Sequence, residues 1–317
     1  SFASARIRRV LLAASAKLII LEDFVPHLHA LTLRKDTQLL QMWHACGAFK
    51  LFGLSELGIV DHLEQSTRNH RSYTAALASS EGVVPFYSEA FGVDDQVIKP
   101  IGVPRTDVFF DPEYGRKIRE SFFKKYPICR DKKIVLFAPT FRGSGNKTAY
   151  YPWERFQASE IMSHMPEDAV LILKNHPFVK KRYEIPLEYQ DRILDLSTEE
   201  NINDLLFIAS VLITDYSSVI FEASLLELPI LFYTFDLQEY LDSRDIYFDF
   251  ASFAPGKIVE DQKTLENELR KALLGEVEEN GKVSMTKEQF HRLFLGALDG
   301  KSTERTMELV KQLLTTD

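Results

Sequence analysis

Apolar positions gather into short runs separated by amphipathic stretches almost from end to end. This is the sequence form of a parallel sheet covered by helices. In the first half the candidate strands are Leu18-Ile19-Ile20-Leu21, Leu39-Leu40-Gln41-Met42-Trp43, Tyr73-Thr74-Ala75-Ala76-Leu77-Ala78 and Val97-Ile98-Lys99-Pro100-Ile101-Gly102. Residues 112–133 are dense in charge and read as a helix plus linker, after which Ile134-Val135-Leu136-Phe137-Ala138 opens a second series. That series continues at 169–174, 193–196, 211–214 and 229–233. Residues 256–258 lead into a helical stretch at 264–274, and 302–314 form a last amphipathic helix. The class is α/β, with a boundary expected near Asp131 between domains at 1–130 and 131–317.

A chain of 317 residues is long for one core, which supports two domains. The net charge of −8 excludes a broad electrostatic footprint for nucleic acid, so an anionic ligand must be held locally. Cys46 and Cys129 stand alone, outside any Cys-x-x-Cys arrangement. Neither a disulfide framework nor a zinc site is indicated, and a reducing, cytoplasmic setting fits. No apolar run approaches the ~20 residues of a membrane span. Arg6, Arg8 and Arg9 ahead of an apolar stretch loosely mimic a signal peptide, but the stretch runs into the first strand and reads as helix plus strand. The chain starts at Ser1, and an N-terminal piece is expected to be missing. Asp-x-Asp, His-Glu-x-x-His and a Walker lysine are all absent, so no metal and no cofactor is expected.

The chemistry concentrates where strands end, the edge at which open α/β sheets bind ligands. Val211-Leu212-Ile213-Thr214-Asp215-Tyr216-Ser217-Ser218 is a strand that stops at two hydroxyls before a helical pattern. The first amides of a helix lack internal partners and sit at the positive dipole end, so Ser217 and Ser218 read as an anion cradle. Asp215 reads as a cap or a brace for the loop; Glu222, one turn further on, as a solvated helix residue. Thr140 and Arg142 follow the first strand of the second domain, and an arginine there can grip a phosphate bidentately. His44 and His176 each follow a strand, one per domain. Either reads as a loop histidine satisfying backbone or as a reactive group facing ligand. Arg105 with Asp107 reads as an ion pair or a binding pair, and Cys46 as a small buried hydrophobe more than a thiol nucleophile.

Taken in order, Trp43-His44-Ala45-Cys46-Gly47-Ala48-Phe49-Lys50, Gly102-Val103-Pro104-Arg105-Thr106-Asp107, Ala138-Pro139-Thr140-Phe141-Arg142, Lys174-Asn175-His176-Pro177, Thr214-Asp215-Tyr216-Ser217-Ser218, Pro229-Ile230-Leu231-Phe232-Tyr233, Tyr247-Phe248-Asp249-Phe250 and Asp299-Gly300-Lys301-Ser302-Thr303-Glu304-Arg305 resemble the CDP-glycerol glycerophosphotransferases. These are the polyol-phosphate transferases and polymerases of teichoic acids and capsules. Better-known members carry Trp-His-Gly-Thr-Pro where this chain has Trp43-His44-Ala45-Cys46-Gly47. The resemblance implies a GT-B architecture, two facing Rossmann-like domains with a cleft, in which the final helix crosses back to the first domain. It implies transfer of glycerol phosphate or ribitol phosphate from CDP-polyol to a hydroxyl of a lipid-linked or polymeric acceptor, releasing CMP. His44 and His176 are then catalytic, and Arg142, Thr140, Asp215, Ser217, Ser218, Glu222, Lys50 and Arg105 bind substrate, Glu222 as an acceptor of the ribose hydroxyls of the cytidine nucleotide. A lipid-linked acceptor would bring the protein to the inner face of the cell membrane, where Arg6, Arg8, Arg9, Arg34 and Lys35 form either a basic patch or an ordinary solvated face. The rival readings are a nucleotide-sugar glycosyltransferase or epimerase on the same fold, and a non-catalytic nucleotide- or polymer-binding module.

Overall fold

The computed structural model describes residues 2–25, 28, 33–58, 72–276 and 285–315, with the backbone alone for 2–7, 9 and 56–58. The chain divides into two compact units, Ser1–Phe110 with Asp245–Tyr247 and Glu288–Asp317, and Asp111–Arg244 with Phe248–Lys287.

The described residues of the first unit carry a parallel sheet of four strands in the order β1 (Leu18–Leu21), β2 (Gln38–Gln41), β3 (Ala75–Leu77) and β4 (Ile98–Lys99). Leu18 to Leu21 pair in step with Gln38 to Gln41. Leu40, Ala75 and Leu77 form the buried heart of this sheet, with Leu309, Val310 and Leu313 of the helix Ser302–Thr315 packed on them. Asp107 caps that helix, its carboxylate accepting from the amides of Ser302 at 2.9 Å and Thr303 at 2.7 Å. Gly102, at φ +95°, makes the approach possible, because a Cβ there would lie 2.2 Å from Ser302 Oγ.

The second unit carries six parallel strands: β5 (Lys133–Phe137), β6 (Ala169–Leu173), β7 (Ile193–Asp195), β8 (Val211–Thr214), β9 (Ile230–Tyr233) and β10 (Lys257–Val259). Their spatial order is β10-β9-β8-β5-β6-β7. Both faces are covered, which is why β6 and β8 read as unbroken apolar runs. The chain starts in the middle at β5, runs out through β6 and β7, then returns to β8 on the other side. The strand order therefore reverses between β5 and β8, and the loops leaving these two strands border the switch point where such sheets bind ligands.

The division falls after Phe110, ahead of the expected Asp131, because the helix Pro112–Lys125 packs within the second unit. Tyr114 donates its hydroxyl to Asp204 at 2.8 Å, Arg119 reaches the Phe207 carbonyl at 2.9 Å, and Gly115 lets the Phe207 ring lie against the backbone. Among the described residues, no helix is long and apolar enough to cross a membrane.

Candidate active site

In the second unit the loops after β5 and β8 are tied by charge. The Asp215 carboxylate accepts from the amides of Thr140 at 2.7 Å and Tyr216 at 2.6 Å, and from Arg142 Nη1 at 3.0 Å. Arg142 also clasps Asp236 from the loop after β9, through Nε at 2.6 Å and Nη2 at 2.9 Å, and donates to its neighbour Thr140's carbonyl. Four of its five N–H groups are engaged within the protein. Burial opposes the charge on Arg142, but the two carboxylates outweigh it and hold its pKa above the usual value. Arg142 is thus the knot of three loops, 8% exposed and sandwiched near the rings of Tyr216 and Tyr240.

The knot fixes the serines that come next in the chain. Ser217 Oγ accepts weakly from the Val219 amide at 3.4 Å, and Ser218 occupies the N-cap of the helix Val219–Leu225 without a side-chain cap bond. Ser218 is exposed, so its hydroxyl remains available at the helix start beside amides that lack internal partners. Glu222 on the same helix is 3% exposed, which removes the solvated-residue reading.

His176 follows β6. Its Nδ1 accepts from the Phe178 amide at 3.2 Å, and its ring packs between Phe141 and Phe178 at centroid distances of 4.7 and 4.6 Å. An Nδ1 that accepts carries no proton, so in the neutral ring the proton sits on Nε2. Asn175 beside it is anchored through its amide and Nδ2 to Ser197 Oγ, which bonds Asp195 in turn. Phe141 also walls a pocket of about 560 Å³ between the loops after β5 and β9, together with Arg142, Phe235, Asp236, Tyr240 and Arg244.

In the first unit His44 follows β2 with the opposite polarity. Its Nδ1 lies 3.3 Å from the Glu22 carbonyl and 3.9 Å from Asp23 Oδ1. A carbonyl only accepts, so Nδ1 carries the proton and Nε2 the lone pair. Nε2 makes no hydrogen bond among the described residues, and the side chain is half exposed. The ring tilts over Trp43 at 4.5 Å, and Trp43 stacks on Phe52 at 5.0 Å. Arg105 does not pair with Asp107, which is committed to the last helix; its Nε donates to the His44 carbonyl at 3.0 Å, and Nη2 lies 3.9 Å from the buried Cys46 Sγ. Lys50, half-buried, closes the loop with an antiparallel bridge to Ile246.

With that geometry in hand, comparison with known proteins gives a consistent result. The model of the CDP-Glycerol:Poly(glycerophosphate) glycerophosphotransferase family matches residues 2–312. The chain belongs to this family. It is 38% identical over 297 residues to the teichoic acid poly(ribitol-phosphate) polymerase of Bacillus spizizenii, covering 94% of this chain and 47% of that one. It is 43% identical over 250 residues to the teichoic acid ribitol-phosphate polymerase TarK of Staphylococcus aureus, covering 78% and 49%. The chain thus spans about half the length of these relatives. Among solved structures, a histidine-to-asparagine variant of the wall teichoic acid polymerase TagF soaked with CDPG superposes with a TM-score of 0.77 at 20% identity, over 94% of this chain and 73% of that one. The fold is accordingly the GT-B class of two Rossmann-like domains.

Within this glycerophosphotransferase frame, the structure draws together Thr140, Arg142 and Asp215, with Ser217 and Ser218 next in the chain. It also brings in residues the sequence reading passed over. Asp236 follows β9 as an acidic residue just past an apolar strand, which is a legible signal. Gln41, a polar residue closing an apolar strand, carries a similar signal. Of the basic residues near the start, the side chains of Arg6 and Arg9 lie outside the described residues, Arg8 and Lys35 are exposed, and Arg34 pairs with Asp36.

Proposed function

We propose that the protein transfers a polyol phosphate from CDP-polyol to an acceptor hydroxyl on a lipid-linked or polymeric polyol phosphate, releasing CMP. The observation that carries this reading is the opposite hydrogen bonding of the two strand-end histidines, one with a bare Nε2 and one with a protonated Nε2. A phosphoryl transfer asks for both: a base for the attacking hydroxyl and a donor for the phosphate oxygens.

His44 is assigned the base. Its Nε2 takes the hydroxyl proton as the acceptor oxygen attacks the phosphorus nearest the polyol. The new P–O bond forms while the bridging P–O bond to CMP breaks, and CMP leaves with that electron pair. His176 donates through Nε2 to the phosphate oxygens, and beside a pyrophosphate its cationic form is favoured. Ser217, Ser218 and the helix amides behind them hold the pyrophosphate. Glu222 is assigned the ribose hydroxyls and Lys50 a phosphate of the acceptor. Arg142, Asp215 and Thr140 hold the serine loop in shape, and Arg105 holds the backbone of His44.

The Bacillus spizizenii and Staphylococcus aureus relatives are named as ribitol-phosphate polymerases, which favours CDP-ribitol as donor. The acceptor's lipid would place the reaction at the inner face of the cell membrane. Donor turnover is measured as CMP release from CDP-ribitol and CDP-glycerol and as UDP release or sugar epimerisation from UDP-sugars, each with a lipid-linked polyol-phosphate acceptor. Release from a CDP-polyol is the expected result. Turnover of a UDP-sugar alone would replace the reading with a glycosyltransferase or epimerase, and binding without turnover of any donor would replace it with a non-catalytic module.

A further inference from the structure

Gln41 closes β2 with a fully buried side chain, 0% exposed, in a strand whose neighbours Leu39 and Leu40 are core. Its amide is engaged at both ends. Nε2 donates to the Asp23 carbonyl at 3.2 Å and to the Tyr73 hydroxyl at 3.0 Å, while Oε1 accepts from the Trp43 amide at 2.9 Å. Burial pushes the Tyr73 hydroxyl up to about 12, so it stays neutral and can accept.

These bonds fall where the sheet stops. The ladder between β1 and β2 ends with the Met42 amide on the Leu21 carbonyl at 2.7 Å. The next carbonyl along the first strand is that of Glu22, the partner of His44 Nδ1. It is bracketed by the ladder on one side and by the Gln41 clamp on Asp23 on the other. The second arm of the same amide holds Trp43, whose φ of +56° is strained for a bulky residue and needs a surrounding that enforces it. One side chain thus fixes both the carbonyl and the backbone that presents the imidazole.

We infer that Gln41 is a positioning residue that locks His44 in the Nδ1–H tautomer and so keeps Nε2 as the bare nitrogen. The inference rests on the proposed role of His44 for its catalytic meaning, but the tautomer itself is observable without turnover. An imidazole freed from the Glu22 carbonyl reverts toward the Nε2–H form that free histidine favours, which cannot accept a proton at Nε2.

The test is nitrogen NMR of the full chain labelled in histidine, with the His44 signals identified by their loss in His44→Gln. The wild type is expected to show His44 mainly as Nδ1–H when neutral, and Gln41→Leu to shift it to a mixture rich in Nε2–H. Gln41→Met, closer in shape, repeats the measurement if the leucine variant does not fold. Tyr73→Phe leaves both clamps in place and should keep the wild-type ratio, separating the clamp from general disturbance of the core. With an active protein, the Gln41 variants should lower kcat by at least about tenfold without weakening CDP-polyol binding, as expected when a base is held in the wrong tautomer. A wild-type ratio in Gln41→Leu, or an equal shift in Tyr73→Phe, overturns the inference. A tautomer shift in a protein that never releases CMP instead overturns the proposed reaction and leaves the clamp standing.

Discussion

Arg142 holds Asp236 with two parallel N–H···O bonds of 2.6 and 2.9 Å across 94 positions of sequence, with both side chains nearly sealed from solvent. A pair of this geometry is worth little against an apolar substitute but much against the loss of one partner, since a lone buried charge is left behind. Arg142→Ala would strand two carboxylates, Asp215 and Asp236. We expect it to destabilise the fold by about 3–5 kcal/mol in urea denaturation. Arg142→Lys, which keeps the charge but not the fork, should lose less stability and weaken CDP-polyol binding by loosening the serine loop. Unchanged stability in Arg142→Ala would show that the knot is not structural.

The histidines should separate by kinetics. His44→Ala is expected to lower kcat for CMP release by about 10²–10⁴-fold, the usual range for a general base, with donor affinity unchanged by calorimetry. His176→Ala should lower kcat and also weaken the donor, because its assigned partner is the bound pyrophosphate. If His44→Ala loses donor affinity and His176→Ala keeps it, the two roles are to be exchanged.

Ser218→Ala removes an exposed hydroxyl that caps nothing, so the melting temperature should stay within a degree or so of wild type while donor affinity falls. One lost hydrogen bond to a charged group, about 1.5–3 kcal/mol, corresponds to a Kd raised roughly tenfold to a hundredfold. A drop in stability with unchanged affinity would recast the serine as a helix cap.

Lys174 supplies a pH test. Burial, with Arg182 adding to it, holds its pKa below the usual 10.5, and its Nζ donates to the Ser197 carbonyl at 2.8 Å. Between the lowered folded value and the unfolded one, the unfolded chain binds the extra proton, so stability rises with pH in that window. Urea denaturation of wild type against Lys174→Met should show the difference moving in favour of the wild type as pH climbs toward 10.5. A flat difference would mean the lysine is solvated in the folded state.

Much of the scaffold is legible in the chain because parallel strands buried on both faces need unbroken apolar runs. Val211-Leu212-Ile213-Thr214 announces itself, and the loop beyond its end is then a candidate site by topology. The serine loop and both histidines are legible for that reason. The partner of Arg142 is not, because a guanidinium accepts a carboxylate or a phosphate equally well and only the path of the chain through β9 selects Asp236. The domain boundary escapes the sequence for a related reason. The charge of the helix Pro112–Lys125 says that one face meets solvent, but not which unit covers the other. Asp107 next to Arg105 looks like half an ion pair until the last helix arrives to claim it.

The first unit takes its last pieces from Glu288 onward, whereas the second is complete at Lys287. During synthesis the later unit therefore has all its strands before the earlier one has its cap. The sheet that carries His44 therefore gains the cover that Leu309, Val310 and Leu313 give to Leu40, Ala75 and Leu77 only after the last strand of the second unit has been made. Truncation after Lys287 should leave the second unit whole and the sheet of the first without Leu309, Val310 and Leu313.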